Sequence, residues 1–180
     1  MVEKIIAIIA DISAGKDTAA KYISEKYKYE HHTVSDILRS IARERKLAPI
    51  RKNLSKIADE IRKKEGKDAL IIRELKKIKQ EKVIFAGIRD IDEIKYLQKN
   101  YKKKVIVLYL KADAKVRFER IKARGRTGDP KTFEEFLKME KAEGKKFKFK
   151  QLFKMADYTI ENNGTEEEFH KKLDEFMKSV

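Results

Sequence analysis

Three nearly uninterrupted apolar runs, Lys4–Ala10 (KIIAIIA), Lys82–Ala86 (KVIFA) and Val105–Leu110 (VIVLYL), punctuate the chain and read as strands buried on both faces. Between them the pattern turns amphipathic. A helix is predicted from Gly15 to about Tyr27, and another from Ser35, as its cap, to about Arg45. Pro49 marks a break. A third helix then starts at Arg51 or Asn53 and carries Leu54, Ile57, Ala58 and Ile61 on one face, and a fourth covers Lys67–Lys79. Asp90–Asn100 and a stretch capped by Asp113 and ending near Arg124 are also helical in pattern. Thr132 with Glu135, and Thr165 with Glu168, have the spacing of capping boxes. His31–Val34 and Tyr158–Glu161 read as short strands, and Gly125, Gly128 and Pro130 as a loop. Buried strands alternating with helices predict an α/β fold, a parallel sheet with helices on both faces. It forms one domain with helical excursions at about 37–80 and 117–150.

Composition narrows this picture. A chain of 180 residues suits a single domain with a full core. The absence of cysteine excludes a disulfide framework and any thiolate metal site. The apolar run Ile5–Ala10 is too short to span a membrane and no signal-peptidase-like stretch follows it, so a cytoplasmic protein is expected. Charge is abundant and uneven. The net value is +15, with 16 basic against 7 acidic residues at 39–82, 10 against 2 at 102–126, and 3 against 7 at 157–180. Such asymmetry favours an anionic partner, nucleotide phosphates or nucleic acid, although scattered lysines also serve simply as a solvated surface.

The candidate chemistry lies in Ala10-Asp11-Ile12-Ser13-Ala14-Gly15-Lys16-Asp17-Thr18, which follows a buried strand and opens a helix. In that context loop and helix N–H groups point at phosphates, and Lys16 adds a full positive charge. The pattern G-x-x-x-x-G-K-[ST] is met at Gly15 and Lys16. Ala10 stands where the first glycine belongs, and Asp17 where a hydroxyl would meet Mg²⁺.

Further segments occur in a telling order: Val34-Ser35-Asp36-Ile37-Leu38-Arg39, Gly87-Ile88-Arg89, Arg117 through Arg126, Asp129-Pro130, and Ala156 through Thr165. Taken with Gly15-Lys16-Asp17-Thr18, the set resembles the archaeal adenylate-kinase-related and dephospho-CoA-kinase-like group of P-loop nucleotide kinases over nearly the whole chain. The resemblance implies a five-stranded parallel sheet flanked by helices, a helical acceptor-binding insertion and an arginine-rich lid. It implies ATP as donor with Mg²⁺ as cofactor, and transfer of the γ-phosphate to a nucleoside monophosphate or similar small phosphate-bearing acceptor. Ser13, Ala14, Gly15, Lys16, Asp17 and Thr18 would hold the ATP phosphates, with Asn163 and Gly164 along the adenine. Arg39 and Arg89 would hold the acceptor's phosphate, with Asp36 near the acceptor. Asp36 would also lie near the metal, and Asp17 and Asp36 are the carboxylates left to hold it where Ala86 replaces the group's strand-end aspartate. Lys16, Asp36, Arg120, Arg124 and Arg126 would carry catalysis, Arg120 also touching ATP. Arginine suits these roles because its planar fork binds phosphate in a bidentate way.

The chain also departs from the group. Related sequences carry an aspartate just before G-I-R, where this one has Ala86, and a loop glycine where it has Ser13. Two other readings therefore stay open: a nucleotide-binding pseudokinase, and a basic RNA- or ribosome-associated factor built on a kinase fold. Phe147, Phe149 and Phe153 interleave with lysines, a pattern that binds single strands or, more plainly, packs its rings on the core. His31 and His32 are adjacent in a strand and face opposite ways, which makes a poor metal site.

Overall fold

The computed structural model describes residues 2–180. Five parallel strands, β1 (Lys4–Ala10), β2 (Glu30–Thr33), β3 (Lys82–Ala86), β4 (Val105–Lys111) and β5 (Tyr158–Glu161), lie in the order β2-β3-β1-β4-β5. The centre of the sheet is β1, with Ile6 opposite Ile84 of β3 and Ile106 of β4. Side chains alternate across its pleat. Ile6, Ile8, Ile84, Leu108 and Leu110 face α1 (Lys16–Tyr27) and the C-terminal helix Glu166–Ser179; Ile5, Ile9, Val83, Phe85 and Val107 face the other layer. Each fully buried isoleucine of β1 contributes about 1.5–3 kcal/mol, which holds firmly the strand that leads into the Gly15–Lys16 turn.

The connections also follow the chain. Between β2 and β3 run α2 (Val34–Glu44), α3 (Arg51–Glu65) and α4 (Ala69–Leu75), packed together through Leu38, Ala42, Ile57, Ile61 and Leu70. α5 (Ile91–Tyr101) returns to β4, and its capping box joins Asp90 to Glu93. α6 (Ala114–Arg124), α7 (Phe133–Lys146) and α8 (Phe149–Phe153) link β4 to β5, and α9 (Glu166–Ser179) closes the fold. The capping boxes at Thr132–Glu135 and Thr165–Glu168 form as their spacing requires.

Two local expectations need correction. Ser35 is not a cap. β2 ends at Thr33, α2 starts at Val34, and the Ser35 hydroxyl is taken up by Arg39 Nη1 at 3.0 Å. The helix expected over Lys67–Lys79 is only Ala69–Leu75, because Gly66 at φ 109 and a turn at Asp68 delay its start. The phenylalanines after α7 pack as the plainer reading has it. Phe149 is 9% exposed, and Phe153 stacks on Tyr109 with ring centroids 4.2 Å apart.

Edge strand β2 is tied down electrostatically. His32 Nδ1 lies 2.9 Å from Glu74 Oε2 of α4 and Nε2 lies 3.0 Å from Glu30 Oε1. The bond to Glu74, followed by that to Glu30, raises the imidazole pKa above its ordinary value against the effect of burial. A histidine raised in the folded state stabilises fully below its unfolded pKa, about 6.5, and loses that contribution as pH climbs through the raised folded value. Urea denaturation across that window should therefore show stability falling toward alkaline pH. In His32→Asn this component of the slope should vanish, and an identical slope in wild type and variant would refute the assignment.

Candidate phosphate-binding site

Parallel strands deliver their loops to one edge of the sheet, and the glycine-containing turn after β1 lies there. Asp11 N donates to the Leu110 carbonyl at 3.1 Å and Ala14 N to the Asp11 carbonyl at 3.1 Å, which folds the chain back into α1. Left-handed backbone is needed at Ser13, φ 64, and Gly15, φ 101, but not at Ala10, which stays in β1. The missing first glycine therefore costs nothing at Ala10, whereas Ser13 carries about 1–2 kcal/mol of left-handed strain. At Gly15 a side chain is excluded, since a Cβ would come 2.6 Å from Asn162 Nδ2.

Three anchors hold this loop. Asn162, 6% exposed, donates from Nδ2 to the Ala14 carbonyl at 2.9 Å. Asp11 accepts from the Tyr109 hydroxyl at 3.0 Å and from Ala112 N at 3.4 Å; burial raises its carboxyl pKa against the pull of Arg117. Arg117 is itself buried. Its Nε donates to the Ala112 carbonyl at 2.7 Å, one Nη to the Ile12 carbonyl at 3.3 Å, and it pairs with Glu140 of α7. Arg117 thus spends its hydrogen bonds on the loop and on α7.

Lys16 opens α1, and its chain passes over Gly87, where a Cβ would lie 3.6 Å from Lys16 Cε. Its Nζ meets Asp17 Oδ1 at 2.6 Å. Burial lowers the Lys16 pKa, opposed by Asp17 and helped by the positive charges of Arg89 and Arg39. For Asp17 burial works upward, but Lys16 outweighs it, with smaller help from His31 and Arg126, and the carboxyl pKa falls. Lys16, Asp17, His31, Arg39, Arg89 and Arg126 therefore share one electrostatic neighbourhood. Thr18 is exposed one residue further along α1.

The remaining arginines are mostly engaged. Arg39 Nη1 donates to Asp36 Oδ1 at 2.9 Å, and Arg124 grips Asp129 with two bonds at 2.8 and 2.7 Å. Arg126 is exposed, its backbone N donating to Asp129 at 3.3 Å. Arg120 donates from Nη2 to Asn162 Oδ1 at 3.3 Å, while its Nη1 is buried without a partner, as is Ser13 Oγ. Burial lowers the Arg120 pKa. Asn163 accepts from Asp113 N at 2.8 Å, and a Cβ on Gly164 would meet Glu168 at 1.7 Å, so both shape the β5–α9 turn.

For Mg²⁺ the donor set is sparse. Among the described residues no cluster of three or more histidine or carboxylate groups could hold a metal alone. Asp17 and Asp36 are 62% and 67% exposed. Two exposed carboxylates fit Mg²⁺, which keeps waters and takes phosphate oxygens rather than a protein cage.

Sequence reasoning missed Asn162, Asp11 and Tyr109. The signal for Asn162 was present: Ile160 of β5 points into the core, and continuing the strand alternation one residue past β5 returns the side chain to that face.

A glycine-lysine turn between a central strand and a helix, on a β2-β3-β1-β4-β5 parallel sheet, defines an α/β protein of the P-loop kinase fold. The chain belongs to the AAA domain family, which residues 13–137 match. It is similar to a UPF0200 protein of Pyrobaculum aerophilum, 35% identical over 88% of this chain and 87% of the relative. It is also 31% identical, over 97% of its length, to a UPF0200/UPF0201 protein of Archaeoglobus fulgidus, and spans 55% of that longer relative. Shikimate kinase from Bacteroides thetaiotaomicron shares the fold with TM-score 0.65 at 14% identity, covering 97% of this chain and 98% of that one. Shikimate kinase from Acinetobacter baumannii in complex with shikimate does so with TM-score 0.54 at 19% identity, covering 99% and 94%. No helix of the described residues is long and apolar enough to cross a membrane.

Asn162→Ala leaves the buried Ala14 carbonyl unsatisfied, a cost of about 1–3 kcal/mol, and frees Gly15 to move. Equilibrium denaturation should register that loss, and calorimetry should show weaker binding of a non-hydrolysable ATP analogue. Unchanged analogue affinity would mean the asparagine props the fold without shaping the loop.

Proposed function

We propose that this protein binds ATP at the Ser13–Thr18 loop and transfers its γ-phosphate to a nucleoside monophosphate or similar small phosphate-bearing acceptor, as an adenylate-kinase-related or dephospho-CoA-kinase-like enzyme would. The observation that supports this best is the anchored loop with two orphaned polar atoms beside it, Ser13 Oγ and Arg120 Nη1. Buried polar atoms without partners are costly, and here they border a loop whose first helical N–H groups also lack intrahelical acceptors. An anion of several oxygens satisfies all of them.

Phosphoryl transfer asks the protein for positioning and charge neutralisation more than for covalent chemistry. In this reading Lys16 neutralises the β- and γ-phosphates and releases Asp17. Asp17 and Asp36 would hold Mg²⁺, which would supply positive charge to offset that of the phosphates. Arg39 and Arg89 orient the acceptor's phosphate in line, and Asp36 lies beside the acceptor. Arg120, already half-engaged by Asn162, offers its free Nη1 to ATP, and Arg124 and Arg126 follow from the lid toward the transferring group.

Lys16→Ala should weaken ATP-analogue binding or turnover at least tenfold, about 1.4 kcal/mol. Arg89→Ala should raise the acceptor KM while leaving ATP affinity nearly intact. A screen of ATP consumption across monophosphate acceptors, with calorimetry on each variant, measures both; a Lys16→Ala protein that binds and turns over normally would reduce the loop to a turn.

Metal handling gives a separate test. Asp17→Asn with Asp36→Asn should abolish the Mg²⁺ dependence of nucleotide binding and turnover. Ala86→Asp separates two cases: a higher kcat with little change in ATP Kd would mean that metal handling was lost with the strand-end carboxylate, because a group that orients the metal's waters acts on the transition state, whereas a lower kcat would leave the metal with Asp17 and Asp36. Retained Mg²⁺ dependence in the double variant would place the metal on other ligands.

A further inference from the structure

The anion that sits on Arg89 comes from the protein itself. Arg89 Nη1 donates to Glu143 Oε2 of α7 at 2.7 Å, and the other carboxylate oxygen is taken by Arg51, the first residue of α3. Glu143 is only 15% exposed. The Phe147 ring, just past the end of α7, lies 5.5 Å from the Arg89 guanidinium and 5.7 Å from that of Arg62. Arg62 donates to the buried Glu93 at 3.1 Å, yet its Nε is buried without a partner. Arg89 also acts on Lys16, and Arg51 on Asp129, so this cluster adjoins both the phosphate loop and the lid.

We propose that Glu143 is a resident counter-ion in an acceptor subsite built from Arg51 and Arg89, and that the phosphate of an incoming monoester takes its place. The proposal rests on the kinase reading and adds to it Arg51 as a binding residue and α7 as the element that must yield. Charge favours a phosphate monoester over a carboxylate. Two guanidinium groups face one carboxylate, which leaves a positive charge uncompensated, whereas a phosphate monoester carries nearly two negative charges at neutral pH. Geometry agrees, since a phosphate accepts from both forks as Glu143 does now. The Phe147 ring between cations offers a flat face to whatever the phosphate carries. Release is local: Gly144, adjacent to Glu143, weakens the last turn of α7, while Lys146 stays bound to Asp59 at 2.6 Å and to Ser55 at 2.9 Å.

The probes are nucleoside 5′-monophosphates and the matching nucleosides, titrated calorimetrically into the full chain with and without a saturating non-hydrolysable ATP analogue. Glu143→Gln should bind the preferred monophosphate at least tenfold more tightly than wild type, leave nucleoside and ATP-analogue affinities unchanged, and lose the gain in Arg51→Ala/Glu143→Gln. In wild type, monophosphate should speed amide exchange in residues 133–146, a readout that needs no variant. An unchanged monophosphate affinity in Glu143→Gln, no monophosphate binding to it, a gain that survives Arg51→Ala, or unaltered exchange in α7 each overturns the proposal. Loss of the ATP-analogue signal alone, with the Glu143→Gln gain intact, would overturn the kinase reading and leave the anion subsite standing.

Discussion

Everything at the candidate site depends on one contact, the Asn162 amide against the turn at Ala14 and Gly15. The amide nitrogen holds the Ala14 carbonyl at 2.9 Å and stands where a Cβ on Gly15 would lie. Gly15 is therefore fixed twice over, by its left-handed backbone and by its neighbour. The same side chain accepts from Arg120, so loop geometry and the orientation of that arginine are set by one buried group. That group directly follows β5, the edge strand of the sheet, and its backbone N bonds the Lys111 carbonyl of β4. The loop near the N-terminus is thus held by a residue near the C-terminus.

The loop also shows how a turn of this fold forms with few glycines. Ala10 remains in β1 and needs no unusual backbone, so the strain falls on Ser13 alone. A residue of that kind in left-handed conformation persists where its surroundings over-determine it. Here Tyr109 and Ala112 fix Asp11 on one side of the turn, Arg117 fixes Ile12, and Asn162 fixes Ala14. Side-chain anchors hold the turn where glycines are few.

Much of the fold was legible because it follows from periodicity. Continuous apolar runs became β1, β3 and β4, and two S/T-x-x-E spacings became capping boxes. The phosphate loop was legible because its glycine and lysine sit between a strand and a helix. What the sequence hid depends on residues far apart meeting. Arg51 and Arg89 converge on Glu143 across separations of 92 and 54 residues, and no local pattern announces that. Arg117, Arg120 and Arg124 share a helical face by spacing, yet only packing decides that Arg117 turns into the core, Arg120 toward Asn162 and Arg124 toward Asp129. Helix ends such as Val34 and Leu75 were blurred for a related reason, since side-chain caps are absent there.

Most of the site's cations have a carboxylate partner. Lys16 has Asp17, Arg39 has Asp36, Arg124 has Asp129, and Arg51 with Arg89 share Glu143. A protein of net charge +15 that gathers so many cations at one edge of a sheet would otherwise suffer strong mutual repulsion. Each internal carboxylate removes that cost and leaves an ion pair that a better anion can exchange. Exchange costs less than de novo pairing would, because the cation is already desolvated and oriented. Arg120 differs from the others: its Nη1 has no carboxylate and no other partner. Arg120 stands beside Asn162 at the Ala14–Gly15 turn, and an anion there would satisfy its Nη1 without displacing a resident carboxylate.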